Sequence, residues 1–196
     1  MAKEGDNFWV GVLIGVIGAI GTGIAIYYAR KQEFNPRKKI RELINKYQSD
    51  SAIRKVAAEI TRNCSTGDSV CEVSAIFNFV VTQIKYMGDP QKRDYFSNPL
   101  ETLKLRIGDC DCKSILLATI LESVGHETQV VLIPGHAFVR VSIAEEDIDK
   151  LPQSAYYIED RGKVWVPLES TAEGAYIGWM PEKSHNAFET GNVELA

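Results

Sequence analysis

The chain has 196 residues, a hydrophobic fraction of 45% and a formal net charge of −4 at pH 7. This length suits one well-buried domain with an appendage and is short for two full domains. Beyond its amino-terminal part the chain carries an excess of acidic residues, which argues against nucleic acid as a partner.

The first predicted element is a transmembrane helix within residues 7–29, a run of 23 residues without a charge. As a helix it would reach about 34 Å, enough to cross the bilayer core. A cleaved signal peptide fits less well, because the preceding residues are not a basic leader and no small-residue cleavage site follows. A buried core helix fits worse, because the run is apolar on all sides. We therefore assign residues 1–29 to a single-pass membrane helix with a short tail.

The charges beside this segment predict its orientation. Residues 30–46 carry seven basic and two acidic side chains, whereas residues 1–8 carry one basic and two acidic ones. The positive-inside rule then places the following domain on the cytoplasmic side. We assign residues 30–50 to a basic juxtamembrane stalk or helix that meets anionic membrane lipid. Gly11 and Gly15 form a small-xxx-small pair, so the membrane helix could also form a homo-oligomer.

Helices are predicted along the next part of the chain. Residues 35–64 predict two helices with a break near residues 49–51, and residues 68–86 predict a strongly amphipathic helix. Residues 87–103 contain glycine and prolines, which predict a loop that leads into a short turn or helix.

The pattern changes from helical to alternating in the second half of the chain. Asp109 is the predicted cap of a helix that Gly125 ends. The apolar stripe of this helix is Ile115, Leu116, Ile120 and Val124. The segments that predict strands are 128–133, 136–143, 154–159 and 163–169. Because helices precede strands, we predict an α+β domain with an antiparallel sheet over residues 51–196.

The four cysteines could serve different purposes. Their spacing does not match a zinc site, and we predict neither a metal nor another cofactor. Cys64 and Cys71 lie between two predicted helices and could form a disulfide if the domain is exported. They would stay reduced in the cytoplasm, so their state tests the predicted orientation.

Cys110 is the candidate nucleophile. It lies at the amino end of a helix, where unpaired N–H groups and the helix dipole favour an anion such as a thiolate. Cys112 points about 200° away around the helix and is assigned to the core. His136 opens one predicted strand and Glu169 ends another, and each alone would suit a structural role. With Cys110 they form a candidate set of nucleophile, base and orienting carboxylate.

Three motifs in this order resemble the transglutaminase-like superfamily of papain-fold cysteine enzymes, especially its microbial, archaeal and viral members. The resemblance covers about residues 69–179. The motifs are G-D-C-D at 108–111, H-A-F-V-R-V at 136–141, and the series Trp165, Pro167, Glu169 and Thr171. This sequence departs from the family pattern in two places: Cys112 replaces a frequent acidic residue, and Glu169 stands where aspartate is commoner.

The resemblance implies an enzyme that transfers acyl groups from amide bonds of peptides or proteins through a thioester. Cys110 would be the nucleophile, His136 the general base and acid, and Glu169 the orienting carboxylate. The oxyanion would bind partly to the backbone N–H of Cys110. Tyr95 and Tyr86 are candidates for the second donor, although buried structural tyrosines are the simpler assignment.

The acyl acceptor and the activity itself stay open at this point. Water as the acceptor would make the chain a peptidase or amidase, and an amine would make it a transglutaminase. One alternative is a membrane-anchored structural or assembly protein, cellular or virion, that has the fold with weak or no catalysis. Another is a tethered module that binds a peptide without cleaving it.

Overall fold

The computed structural model describes residues 35–88, 95–189, 191 and 193–196. The predicted membrane helix at residues 7–29 lies outside the described residues. Within the described ranges, no helix is both long enough and apolar enough to cross a membrane. The compact unit described below runs from Arg37 to Ala196.

The described part of the chain contains helices in its first half and strands mainly in its second. The helices are α1 (Pro36–Tyr47), α2 (Ser51–Thr61), α3 (Ser69–Gln83), α4 (Pro99–Leu105), α5 (Cys110–Ser123) and α6 (Glu182–Glu189). The strands are β1 (Lys85–Tyr86), β2 (Ile107–Gly108), β3 (Thr128–Ile133), β4 (His136–Ile143), β5 (Ile158–Asp160), β6 (Lys163–Leu168) and β7 (Glu194–Leu195). A 3-10 helix covers Glu145–Lys150.

The main sheet has five antiparallel strands in the order β5-β6-β4-β3-β7. Strands β1 and β2 form a separate short parallel pair. The predicted α+β class with an antiparallel sheet is therefore confirmed. Between β5 and β6, Arg161 and Gly162 both have positive φ angles, of 51° and 74°. Such angles suit a tight hairpin turn, as the sequence predicts for Gly162.

One predicted strand is shorter than expected. The sequence predicts a strand over residues 154–159, but β5 begins only at Ile158. The backbone N–H of Tyr156 donates to the carbonyl of Gly178 at 2.8 Å, and that of Ala155 donates to Pro152 at 2.8 Å. Those amides are bonded to a loop and a turn, so they cannot join the sheet ladder.

Helix α5 is the centre of the fold. All residues from Cys112 to Leu121 are buried, because helices α2, α3 and α4 pack on it from one side and strands β3 and β4 from the other. The sequence predicts an apolar stripe on one side of this helix, whereas the structure buries residues 112–121 on all sides. Truncation of its side chains would leave cavities in the main core.

Helix α1 contributes to the same core. It falls within residues 30–50, which the sequence assigns to a juxtamembrane stalk, yet Ile40, Leu43 and Ile44 are buried in the main cluster. On the other face of the sheet, α6 packs over a smaller cluster that includes Phe138. Neither α6 nor β7 is predicted from the sequence.

A disulfide joins Cys64, which follows α2, to Cys71 in the first turn of α3. From the sequence, these thiols are expected to stay reduced if the domain is cytoplasmic. Disulfides persist in oxidising compartments and are rare in the cytosol. The bond therefore disagrees with the cytoplasmic orientation that the flanking charges predict.

Candidate active site

The position of Cys110 is set by the start of α5. Asp109 caps the helix as predicted, because its side chain accepts the backbone N–H of Cys112 at 2.9 Å. The preceding residue, Gly108, passes so close that a Cβ there would lie 2.9 Å from the Cβ of Cys112. The absence of a side chain at Gly108 thus lets strand β2 lead directly into the helix. Cys110, the first helical residue, is partly exposed.

His136 is the first residue of β4 and follows a tight turn. Gly135 in that turn has a positive φ of 71°, which favours glycine. Lys183 of α6 donates a hydrogen bond from Nζ to the carbonyl of Pro134 at 2.9 Å. Helix α6 therefore helps to hold the turn that delivers the histidine. The imidazole also stacks on Phe138, with ring centroids 6.2 Å apart.

Glu169 directly follows β6, which pairs with β4 in the sheet. This pairing brings the carboxylate to the imidazole, and Nε2 of His136 donates to Oε2 of Glu169 at 2.5 Å. The other oxygen, Oε1, accepts the backbone N–H of Thr171 at 3.0 Å and its hydroxyl at 2.6 Å. Glu169 is only 1% exposed. Both oxygens of this buried carboxylate accept hydrogen bonds, as burial of a charged group requires.

The side chain of Cys110 also acts on the imidazole, since it is among the causes that raise the pKa of His136. Since Nε2 is bonded to Glu169, the other ring nitrogen, Nδ1, is the one left for the sulfur. Burial lowers the pKa of His136, but the hydrogen bonds and charges of Cys110 and Glu169 raise it, to about 9. The surroundings of His136 therefore favour its protonated, imidazolium form.

The pKa of Glu169 is shifted downward, which favours the ionised carboxylate beside this imidazolium. Burial alone would raise the pKa of Glu169, but the hydrogen bonds and charge of His136 and the hydrogen bonds of Thr171 hold it below its usual value. A proton shared in this pair thus stays on the imidazole. The structure brings all three predicted side chains together in the order thiol, imidazole and carboxylate, and their catalytic roles stay a prediction.

Cys112 belongs to the core, as the sequence predicts. Its thiol donates to the carbonyl of Tyr95 at 3.2 Å and accepts the backbone N–H of Ser97 at 3.4 Å. Burial raises the pKa of Cys112 to about 12. In the C-D-C motif, the thiol of Cys112 is therefore buried, whereas that of Cys110 is partly exposed.

The two tyrosines considered as oxyanion donors are not buried, in contrast to the simpler assignment made from the sequence. Tyr86 and Tyr95 are each more than half exposed. The hydroxyl of Tyr95 donates to the carboxylate of Glu101 at 3.0 Å. A role of either hydroxyl in oxyanion binding stays a prediction.

Two further side chains, Thr171 and Lys113, have no role predicted from the sequence. Thr171, quoted only as part of a motif, holds Oε1 of Glu169 through two hydrogen bonds. Lys113, one turn beyond Cys110, is 2% exposed in a helix whose residues 112–121 are all buried. A lysine just before the apolar residues 115–118 was the available signal for Lys113. Across the residues that the structure covers, no group of three or more His, Cys, Asp or Glu side chains is placed to hold a metal ion.

Comparisons with known proteins relate this chain to one family. The chain matches the family model described as the transglutaminase-like superfamily over residues 54–170. A search of curated proteins finds no match. Among solved structures, the chain is similar to a proposed cysteine protease from Cytophaga hutchinsonii, with 13% identity and a TM-score of 0.46 over 84% of this chain and 52% of that one.

Two further structures are similar at the same level. Calcium-bound LapG of Legionella pneumophila has 18% identity and a TM-score of 0.45, over 81% of this chain and 80% of that one. A proposed protease from Parabacteroides distasonis has 14% identity and a TM-score of 0.43, over 70% of this chain and 30% of that one. The chain thus spans about half the length of the Cytophaga protein. Because the family match covers more than half of its residues, the chain belongs to the transglutaminase-like superfamily.

Proposed function

We propose that this chain is a cysteine acyl-transfer enzyme that acts on amide bonds of peptides or proteins, as a peptidase, an amidase or a transglutaminase. The observation that carries the proposal is the imidazole of His136, which is hydrogen-bonded to the buried carboxylate of Glu169 and whose pKa is also raised by the side chain of Cys110. A histidine between a thiol and a carboxylate is the arrangement that activates a cysteine nucleophile.

The first half of the reaction forms a thioester. His136 takes the proton of the Cys110 thiol, and the thiolate attacks the carbonyl carbon of the amide. A sulfur–carbon bond forms while the carbonyl electron pair moves to oxygen, where the backbone N–H of Cys110 can stabilise it. His136 then gives its proton to the amide nitrogen, the carbon–nitrogen bond breaks, and an amine leaves. The buried Glu169 keeps the imidazole oriented throughout.

The second half releases the acyl group. His136, now neutral, removes a proton from water or from a substrate amine, which attacks the thioester carbon. The sulfur–carbon bond breaks, and the sulfur takes the proton back through the imidazole. Water yields a carboxylic acid, whereas an amine yields a new amide bond. The exclusion of water from the cleft would decide between the two acceptors.

Adduct trapping tests this proposal. The chain is incubated with a peptide library and quenched in acid, and acyl adducts are located by mass spectrometry. We expect an adduct on Cys110 and none on Cys112, because burial raises the pKa of the latter to about 12. Iodoacetamide at neutral pH should also alkylate Cys110 at least about 100-fold faster than Cys112.

The Cys110→Ala variant is the matched control for this experiment, since it keeps the second thiol of the motif. Adducts that persist in this variant would locate the chemistry elsewhere. If Cys110 reacts no faster than Cys112 in the folded wild type, and no adduct forms, the acyl-transfer proposal fails. The reading as a structural or assembly protein with an inactive fold would then replace it.

We also propose that residues 7–29 anchor the chain in a membrane, as their uncharged length predicts. The disulfide between Cys64 and Cys71 supports a domain that faces an oxidising compartment rather than the cytoplasm. This orientation would leave the basic residues 30–46 on the outer side, against the positive-inside rule. The proposal therefore gives more weight to the disulfide than to the charge asymmetry.

Thiol counting on freshly lysed cells tests the orientation. The cells are lysed under denaturing conditions, and free thiols are blocked with a maleimide of known mass, with and without prior reduction. We expect two labels, on Cys110 and Cys112, without reductant and four labels after reduction. Four labels without reductant would show that Cys64 and Cys71 are reduced in the cell, which would restore the cytoplasmic orientation.

A further inference from the structure

A small cavity lies beside the start of α5. Its walls include Gly108 and Asp109, the two residues that directly precede the proposed nucleophile Cys110. Its volume is about 120 Å³. Pockets that hold a whole drug-sized ligand usually measure about 300–1,000 Å³, so this cavity has room for a single side chain. Consecutive Cα atoms are about 3.8 Å apart, so the cavity wall begins one residue away from Cys110.

The rim of this cavity is exposed apolar surface. Met87, Tyr95 and Leu105 line the cavity and are 50%, 55% and 54% exposed. They are three of the six large hydrophobic side chains that are exposed in the described part of the chain. Exposed apolar side chains gathered in one place are typical of a binding surface, whereas single scattered ones are not. The cluster therefore indicates that something apolar binds next to the candidate active site.

The polar groups in the cavity wall are bonded to one another. The thiol of Cys112 donates to the carbonyl of Tyr95 and accepts the backbone N–H of Ser97. The side chain of Asp109 accepts the backbone N–H of Cys112 at 2.9 Å. A polar guest would have to compete with these hydrogen bonds. An apolar guest would instead bury its surface and leave them intact, so the wall favours an apolar guest.

The charged groups of the cavity are carboxylates. Glu101 is partly buried, lines the cavity and accepts a hydrogen bond from the hydroxyl of Tyr95 at 3.0 Å. Asp109 is the second carboxylate, and none of the described residues that line the cavity is basic. Like charges repel each other, and they do so more strongly where water is partly excluded. An acidic side chain is therefore the least suitable guest.

We propose that this cavity is a specificity subsite for an apolar side chain of the acyl donor, of the size of leucine or methionine. The backbone N–H of Cys110 would bind the oxygen of the attacked carbonyl, and Asp109 and Gly108 lead from that N–H to the cavity wall. The guest is thus carried by the residue whose carbonyl is attacked, or by the next residue on the acyl side. This inference rests on the proposed function, but the preference of the cavity can also be measured without turnover.

The first test determines the sequences of trapped acyl fragments. An adduct on Cys110 contains only the acyl part of a library peptide, because the amine has left. Leucine and methionine should be enriched at least about tenfold over alanine at one of the two positions nearest the thioester. Adducts on Cys110 without such a preference would overturn the inference and leave the acyl-transfer proposal standing. A lack of adducts would count against the proposed function itself.

Leu105→Lys and Leu195→Lys form a matched pair for this test. Leu105 lines the cavity, whereas Leu195 lies in the edge strand β7 and is 37% exposed. Both variants replace an exposed leucine with lysine, so neither leaves a hole in the core. We expect Leu105→Lys to reduce the preference for leucine below about threefold and to admit aspartate, since the added cation is polar and attracts an anion. Leu195→Lys should keep the wild-type preference, and equal preferences in the two variants would overturn the inference.

The second test uses Cys110→Ala, which cannot form a thioester. The methionine methyl groups are labelled with carbon-13, and the signal of Met87 is assigned with Met87→Leu. N-acetyl-leucine amide should shift the Met87 signal in a saturable manner, and N-acetyl-aspartic acid α-amide should shift it much less. Equal shifts with the two probes, or no shift with either, would overturn the inference whatever the outcome of the adduct experiment.

Discussion

The variant Glu169→Gln is expected to lower kcat/KM for amide substrates by about 10²–10⁴-fold. Thr171 donates two hydrogen bonds to Oε1 of Glu169, so the carbonyl oxygen of the new amide would take that position. Its NH₂ group would then face Nε2 of His136, which would have to accept rather than donate. The neutral imidazole would carry its proton on Nδ1, and that nitrogen could not take the proton of Cys110.

The measurement is kcat/KM for the peptide that adduct trapping identifies. Glu169→Asp keeps a carboxylate, and Thr171→Val keeps the backbone donor to Oε1, so both variants should retain more activity than the amide variant. Near-UV circular dichroism establishes that each variant is folded. A folded Glu169→Gln variant as active as the wild type would exclude the orienting role of Glu169.

The contribution of His136 to the free energy of unfolding is expected to fall as the pH rises from about 6.5 to about 9. Burial lowers the pKa of His136, but the hydrogen bonds and charges of Cys110 and Glu169 raise it from 6.5 to about 9. The folded chain therefore holds this proton more tightly than the unfolded chain in that range. The stabilisation is complete below the unfolded pKa and is lost as the pH passes the folded pKa. The full shift corresponds to about 3 kcal/mol at most.

The shifted pKa of Lys113 makes the free energy of unfolding rise with pH, so its effect has to be separated from that of His136. Burial lowers the pKa of Lys113 from 10.5 to about 8, so the unfolded chain binds the proton more tightly and stability rises between these values. Urea titrations of the wild type and of His136→Gln at a series of pH values make the separation. The difference between the two curves should shrink as the pH approaches 9. A constant difference over the whole range would contradict the raised pKa of His136.

Features set by a few neighbouring residues could be predicted from the sequence. Asp109 caps α5 because a carboxylate before a helix reaches the first free N–H groups of that helix. Gly125 follows the helix with a φ of 100°, a conformation that glycine adopts without strain. The strands over residues 128–133 and 136–143 have the predicted bounds, because both segments are rich in β-branched and aromatic residues.

Features that depend on distant contacts could not be predicted. Helix α6 has little local signal, and its one buried apolar residue, Ala187, packs on a cluster formed by the sheet. Strand β7 has two residues and exists through pairing with β3. The exposure of Tyr86 and Tyr95 likewise depends on which surfaces the rest of the chain covers.

The candidate site likewise contains residues that the sequence indicates and residues that depend on distant contacts. Cys110, His136 and Glu169 stand out in the sequence because each lies at the end of a regular element, within a motif that resembles the superfamily. Thr171 also lies in the third motif, two residues after Glu169, so its hydrogen bonds to that carboxylate are local. The charge effect of Glu169 on Lys113 depends instead on the fold, because the two residues lie far apart in the sequence. The family resemblance is confirmed over residues 54–170.

The two sides of the candidate site differ in how easily they can move. Amide protons in the middle of α5 can exchange with solvent only when much of the domain opens, because residues 112–121 lie in the core. The turn before His136 is tied by the exposed Lys183, whose single hydrogen bond to Pro134 can break without uncovering any core. We therefore expect faster amide exchange at Gly135, in this turn, than in the middle of α5.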